Sequence, residues 1–123
     1  MGERRALVTV LLTLTVAWLS GTPSAGQGTV NPADRARRDR GKAVYDTWCG
    51  ACHDPGPRHP GTQALDALYK GTKPGALEAR TDLVPKLTET FVRKGVSVMP
   101  PFRKTEISDA DLAALAAYLA PTR

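Results

Sequence analysis

An all-α fold is predicted for this chain by three features of its sequence. Apolar residues recur at helical spacing in several segments, capping signatures mark where those segments begin and end, and stretches rich in proline and glycine separate them. No run alternates apolar and polar residues well enough to read as a strand. With 123 residues, 41% hydrophobic and 24% charged, the composition fits one globular domain and excludes wholesale disorder and multi-span membrane insertion. The 11 glycines and 10 prolines imply long irregular connections.

The first segment is set aside from the fold. Arg4 and Arg5 precede an apolar run from Ala6 to Leu19, followed by small residues from Ser20 to Gly26. This is the pattern of a secretory signal peptide, read over residues 1–26, which leaves a domain over 27–123. The run falls short of the roughly 20 residues a spanning helix needs, so export with cleavage is preferred to an uncleaved membrane anchor. The mature protein is therefore expected in the periplasm with no stable membrane span. Losing Met1 leaves Met99 as the remaining one of 2 methionines.

A first helix is predicted from an Asn31 cap with Pro32 at its first position, running to about Cys49 with Gly41, Val44, Tyr45 and Trp48 as its apolar stripe. Pro55, Pro57 and Pro60 then mark a loop. Gln63 to Tyr69 reads as a short helix and Gly71 to Asp82 as loop. Val84 to Lys94 reads as a helix with Leu87 and Phe91 on its apolar side and Gly95 as its stop. The last helix has the clearest start: Ser108 with Asp111 resembles a capping box, and Ile107 with Leu112 a hydrophobic staple. Leu112, Leu115, Ala116 and Leu119 form its predicted buried face, and Pro121 ends it.

Cys49-Gly50-Ala51-Cys52-His53 is a C-x-x-C-H run, the attachment signature of a c-type haem. Two thiols three positions apart can reach the two vinyl groups on one porphyrin edge as thioethers, and the adjacent imidazole then lies under the iron. Three other uses of these residues fit less well. A thioredoxin-like pair would follow a strand, whereas this motif follows an amphipathic helix. A zinc site of Cys49, Cys52, His53 and His59 would place adjacent Cys52 and His53 on one tetrahedral ion, and no second C-x-x-C is present. A Cys49–Cys52 disulfide would close too small a loop to constrain the unfolded chain. One covalently attached haem c is expected, in keeping with export.

Met99 is the predicted second axial ligand. It sits in the apolar loop Val96-Ser97-Val98-Met99-Pro100-Pro101-Phe102, where two prolines stiffen the backbone beside the sulfur. His59 is the competing ligand; its proximity to His53 would force the chain to turn round the haem edge at once. His53/Met99 ligation raises the reduction potential and leaves no open position, which predicts electron transfer and no catalytic residue in this chain. A gas-binding or peroxidase-like protein would need a displaceable sixth ligand.

With these residues placed, the chain over about 31–120 resembles a class I cytochrome c. Gly41 and Tyr45 ahead of the motif, and Tyr118 on the last helix, match that family's crossing terminal helices. The resemblance implies that these helices enclose one haem together with the loops between them. The stretch Leu87–Phe102, with Asp109-Ala110-Asp111-Leu112 beyond it, is similar to the small cytochrome subunits of flavocytochromes such as p-cresol methylhydroxylase. That likeness implies a flavin-dependent dehydrogenase as partner. Family members also orient the proximal imidazole with a proline carbonyl, for which Pro57 and Pro60 are the candidates here.

Arg35, Arg37, Arg38, Arg40 and Lys42 make the start of the first helix basic. Such a run reads first as a solvated face and second as a docking patch for an acidic redox partner; nucleic acid is not an expected partner. Lys70, Lys73, Arg80 and Tyr69 are further candidates for docking or for holding haem propionates. The two functions that remain are a free electron carrier between a dehydrogenase and a respiratory acceptor, and a fixed cytochrome subunit of a flavin-dependent dehydrogenase.

Overall fold

Asn31 starts the first helix as the sequence predicts. Its side-chain oxygen accepts the Ala33 amide at 3.0 Å, and Pro32 occupies the turn where no amide is required. The computed structural model describes residues 31–121, so the signal peptide read over residues 1–26 lies outside the described residues. Helix α1 spans Pro32–Trp48. Cys49 joins it to a single turn, α2 (Gly50–His53), by accepting the Cys52 and His53 amides while donating its own to Tyr45. Helix α3 (Pro60–Tyr69) begins three residues earlier than predicted, because Pro60 fits its first turn and His59 serves as its cap residue. It stops at Lys70 and Gly71, both with positive φ.

The connection that follows contains a short 3-10 turn over Leu77–Ala79. Helix α4 (Pro85–Lys94) ends at Gly95, where φ is 68°. Helix α5 (Asp109–Leu119) is capped by Ser108, whose hydroxyl accepts the Asp111 amide at 3.1 Å. The reciprocal half of the expected box differs: the Asp111 carboxylate accepts the Ser108 hydroxyl at 2.7 Å. Ile107 and Leu112, the predicted staple, are both buried in the core.

The main packing is α1 against α5, with α4 also on α5 and α2 between α1 and α3. Gly41 permits the close approach. A Cβ there would lie 2.6 Å from Tyr118 Cβ and 2.7 Å from the Ala114 carbonyl carbon. The predicted buried face of α5 is buried as expected, and Tyr45 packs its ring on Tyr118 at 6.0 Å. Two arginines of the basic run fasten the same interface. The Arg38 guanidinium donates to the carbonyls of Ala117 and Tyr118 at 2.8 and 3.1 Å, satisfying oxygens that α5 leaves free at its end. Arg40 pairs with Asp111 at 2.7 Å. Among the described residues there is no strand, and no helix is long and apolar enough to cross a membrane. This helical arrangement is consistent with the class I cytochrome c fold that the resemblance implied.

One predicted stripe, that of α1, is placed differently at its end. Trp48 is 42% exposed and packs edge-on against Phe102 beyond the Met99 loop. On α4, Thr88 and Val92 are buried and line a cavity together with Leu87 and Phe91.

Candidate functional site

Helices α2, α3, α4 and α5 and the connections between them line that cavity. It has a volume of about 870 Å3, counting its open mouth. Cys49 and His53 form one side, and Val96 and Met99 come from the turn beyond α4. Leu65, Leu68 and Tyr69 face it from α3, Leu87 and Phe91 from α4, and Leu115 and Leu119 from α5. Apolar walls with a few convergent polar atoms are the usual form of a cofactor site.

The local backbone explains how the sulfur and the imidazole reach the same space. After Gly95 the chain makes a tight turn in which Val96 and Met99 exchange backbone hydrogen bonds at 3.0 and 2.9 Å. Ser97, with φ of 53°, completes it. The turn is fixed from behind, since the Phe102 amide donates to the Val92 carbonyl at 2.8 Å and Arg93 donates to the Phe102 carbonyl at 3.0 Å. On the opposite wall, burial pushes the His53 imidazole below its ordinary value and so favours the neutral form that can bind a metal. Its Nδ1 is buried without a hydrogen-bond partner. The ring forms part of the cavity lining.

The two cysteines differ. Cys49 is buried on the cavity wall, and burial together with the charge of Cys52 pushes its thiol up to about 11. Cys52 is exposed and is not among the lining residues. They form no disulfide. Among the described residues no three His, Cys, Asp or Glu side chains are grouped to hold a metal ion, which removes the four-ligand zinc arrangement. His59 lies outside the lining as well. Its Nδ1 donates to the carbonyls of Gly50 and Ala51 at 3.1 and 3.2 Å, fastening α3 to the motif.

Arg80, 6% exposed, is the cation on the cavity wall. Its guanidinium stacks over Tyr69 at 4.6 Å and pairs with Asp82 at 2.6 Å, and Lys73 reaches the same carboxylate. Of the four residues that the sequence suggested, Arg80, Lys73 and Tyr69 form one cluster, and Lys70 makes none of these contacts. The basic run on α1, in contrast, is largely spent within the molecule. Beyond the Arg38 and Arg40 contacts, Lys42 bonds Asp46 at 2.8 Å and Arg37 lies 3.9 Å from Asp34.

Gly61 is the residue that sequence reasoning missed. It lies in the first turn of α3 against the His53 ring, where a Cβ would stand 2.6 Å from Cε1 and 2.8 Å from Nδ1. Neither candidate proline bonds that nitrogen, and the Pro57 carbonyl instead accepts Gln63 Nε2 at 2.6 Å.

The donor set suits a haem with thioether attachment: one neutral imidazole, one thioether sulfur and a buried thiol around an apolar slot. Compared with known families, residues 36–119 match the family described as cytochrome c oxidase, cbb3-type, subunit III. No curated protein and no solved structure matches the chain.

Proposed function

The chain belongs to the cbb3-type cytochrome c oxidase subunit III family of c-type cytochrome domains, and from that premise we propose a single-haem electron carrier that works in the periplasm after export. The observation that carries the proposal is the meeting of Cys49, His53 and Met99 on one apolar cavity. In this reading Cys49 and Cys52 would hold one haem c through thioethers, and His53 and Met99 would bind its iron. A bound haem supplies a one-electron Fe(III)/Fe(II) couple. The protein's own residues do the rest. His53 offers an uncharged nitrogen, and the turn from Gly95 to Phe102 holds the Met99 sulfur in place. The leucines of α3 and α5, with Phe91, exclude water from the slot. Arg80 provides a buried positive group suited to a propionate.

With His53 and Met99 both binding the iron, electron transfer would be favoured over chemistry on a bound substrate. The residues behind the flavocytochrome likeness include Leu87, Phe91, Val92, Val96 and Met99, all of them on the cavity wall. They are accounted for by the cofactor and leave the redox partner open.

The test is optical. Wild-type protein should give the alkaline pyridine spectrum of a haem with two thioether bonds, and its ferric form a low-spin spectrum with a methionine-to-iron charge-transfer band. Met99→Ala should abolish that band and admit external ligands. A high-spin wild-type spectrum, or a band that survives the substitution, would sink the proposed ligation.

A further inference from the structure

Among the described residues, Arg80 is the one charged residue that is buried, and it is the one cation lining the apolar cavity. A buried charge is tolerated where acceptors meet its donors, and here they meet only part of them. Nε and Nη2 donate to the two oxygens of Asp82 at 2.6 and 2.8 Å, while Nη1 has no acceptor among the described residues. Lys73 donates to the same carboxylate at 2.6 Å. Two cations on one carboxylate leave the cluster with a positive charge in excess. That excess matches a single further carboxylate.

Arg80 also has somewhere else to go. Besides the cavity it lines a second, open hollow shared with Arg38, Thr81 and Tyr118. Glu78, which accepts the Tyr118 hydroxyl, offers a rival carboxylate there. Asp82 grips two nitrogens of the guanidinium at once, and such a fork fixes direction as well as charge. We propose that Asp82 is a positioning residue: its grip keeps Arg80 on the cavity wall, with Nη1 left for one propionate of the bound haem. The proposal deepens the haem reading above and rests on it. A cation held beside the cofactor favours the ferrous state. Losing Asp82 therefore acts in opposite directions under two roles. Were it only a negative charge, its removal would raise the reduction potential; as the group that places Arg80, its removal releases the guanidinium towards the open hollow and lowers the potential.

The test uses the intact holoprotein. The alkaline pyridine spectrum first establishes haem c; its absence overturns the haem reading and this inference together. With haem c present, Arg80→Gln should lower the reduction potential, Asp82→Asn should lower it too, and Asp82→Glu should restore most of the wild-type value. A rise or no change in Asp82→Asn, or no change in Arg80→Gln, overturns the proposal and leaves the haem reading intact. Asp111→Asn removes an equal charge from the tie between α1 and α5 and should not lower the potential; an equal fall there would mean general loosening and overturn the proposal as well. If these variants do not fold, the reduced wild-type protein decides. Nuclear Overhauser contacts from the Arg80 Nη1 protons to the methylenes of one propionate support the placement, and contacts to neither or to both overturn it.

Discussion

At the scale of single residues, the glycines carry the sharpest constraints. Gly41 lies where α1 and α5 touch, and the atoms a methyl would meet there include the Ala114 backbone, which cannot swing aside. Gly41→Ala is therefore expected to destabilise the holoprotein by about 1–3 kcal/mol, the usual cost of overpacking a closed contact. Denaturant midpoints measured on both proteins check this, and equal midpoints would mean that the helices part easily. Cys49, Cys52 and His53 stand out at this scale because C-x-x-C-H is a local motif. The unequal exposure of the two thiols does not, since it depends on how α2 turns against α1.

The elements were most legible at their ends. Asn31, Gly95 and Ser108 act through bonds to neighbours a few positions away, so the sequence alone marks them. Faces were harder to read. A period of four identifies Leu87 and Phe91 as an apolar pair without saying whether a helix or a cofactor slot receives them. Helix α2, at four residues, is too short to show a period at all. The turn carrying Met99 yields a prediction of its own. Gly95 holds a left-handed φ of 68°, and a Cβ there would stand 2.9 Å from the Pro101 nitrogen. Gly95→Ala should cost about 1–3 kcal/mol, and it should weaken the Met99 charge-transfer band as the sulfur moves. Paired unfolding and absorption measurements check both effects; a stable variant with an undiminished band would show that the turn does not place the sulfur.

Across the whole molecule, carboxylates tie separate segments together. Asp82 joins Arg80 and Lys73, and Asp111 joins α5 to Arg40 on α1. Asp109 takes Lys104 and Arg93. Hydrogen bonds from Arg80, and then from Lys73, hold the Asp82 carboxyl well below the usual carboxylate range. Asp109 and Asp111 are held down in the same way, first by Lys104 and Arg40 respectively. A value depressed in the folded state means that the stabilisation is complete above the unfolded value of about 4 and is lost as pH falls through the native one. Holoprotein stability should therefore decline below about pH 4, and Asp82→Asn should make that decline shallower. Urea midpoints at several pH values, at low and high salt, test this; identical slopes for variant and wild type would exclude Asp82 as a contributor. The tie between Arg40 and Asp111 was not legible in the sequence, because it joins groups whose separation only the fold sets.

The Arg38 contact has a consequence for handling the molecule. By bonding carbonyls at the end of α5, it brings the opening turns of α1 beside the last residues of the domain. A tether attached ahead of α1 or behind α5 would thus grip the same corner. On an electrode or in a fusion, exchanging one attachment point for the other would leave the domain facing the same way.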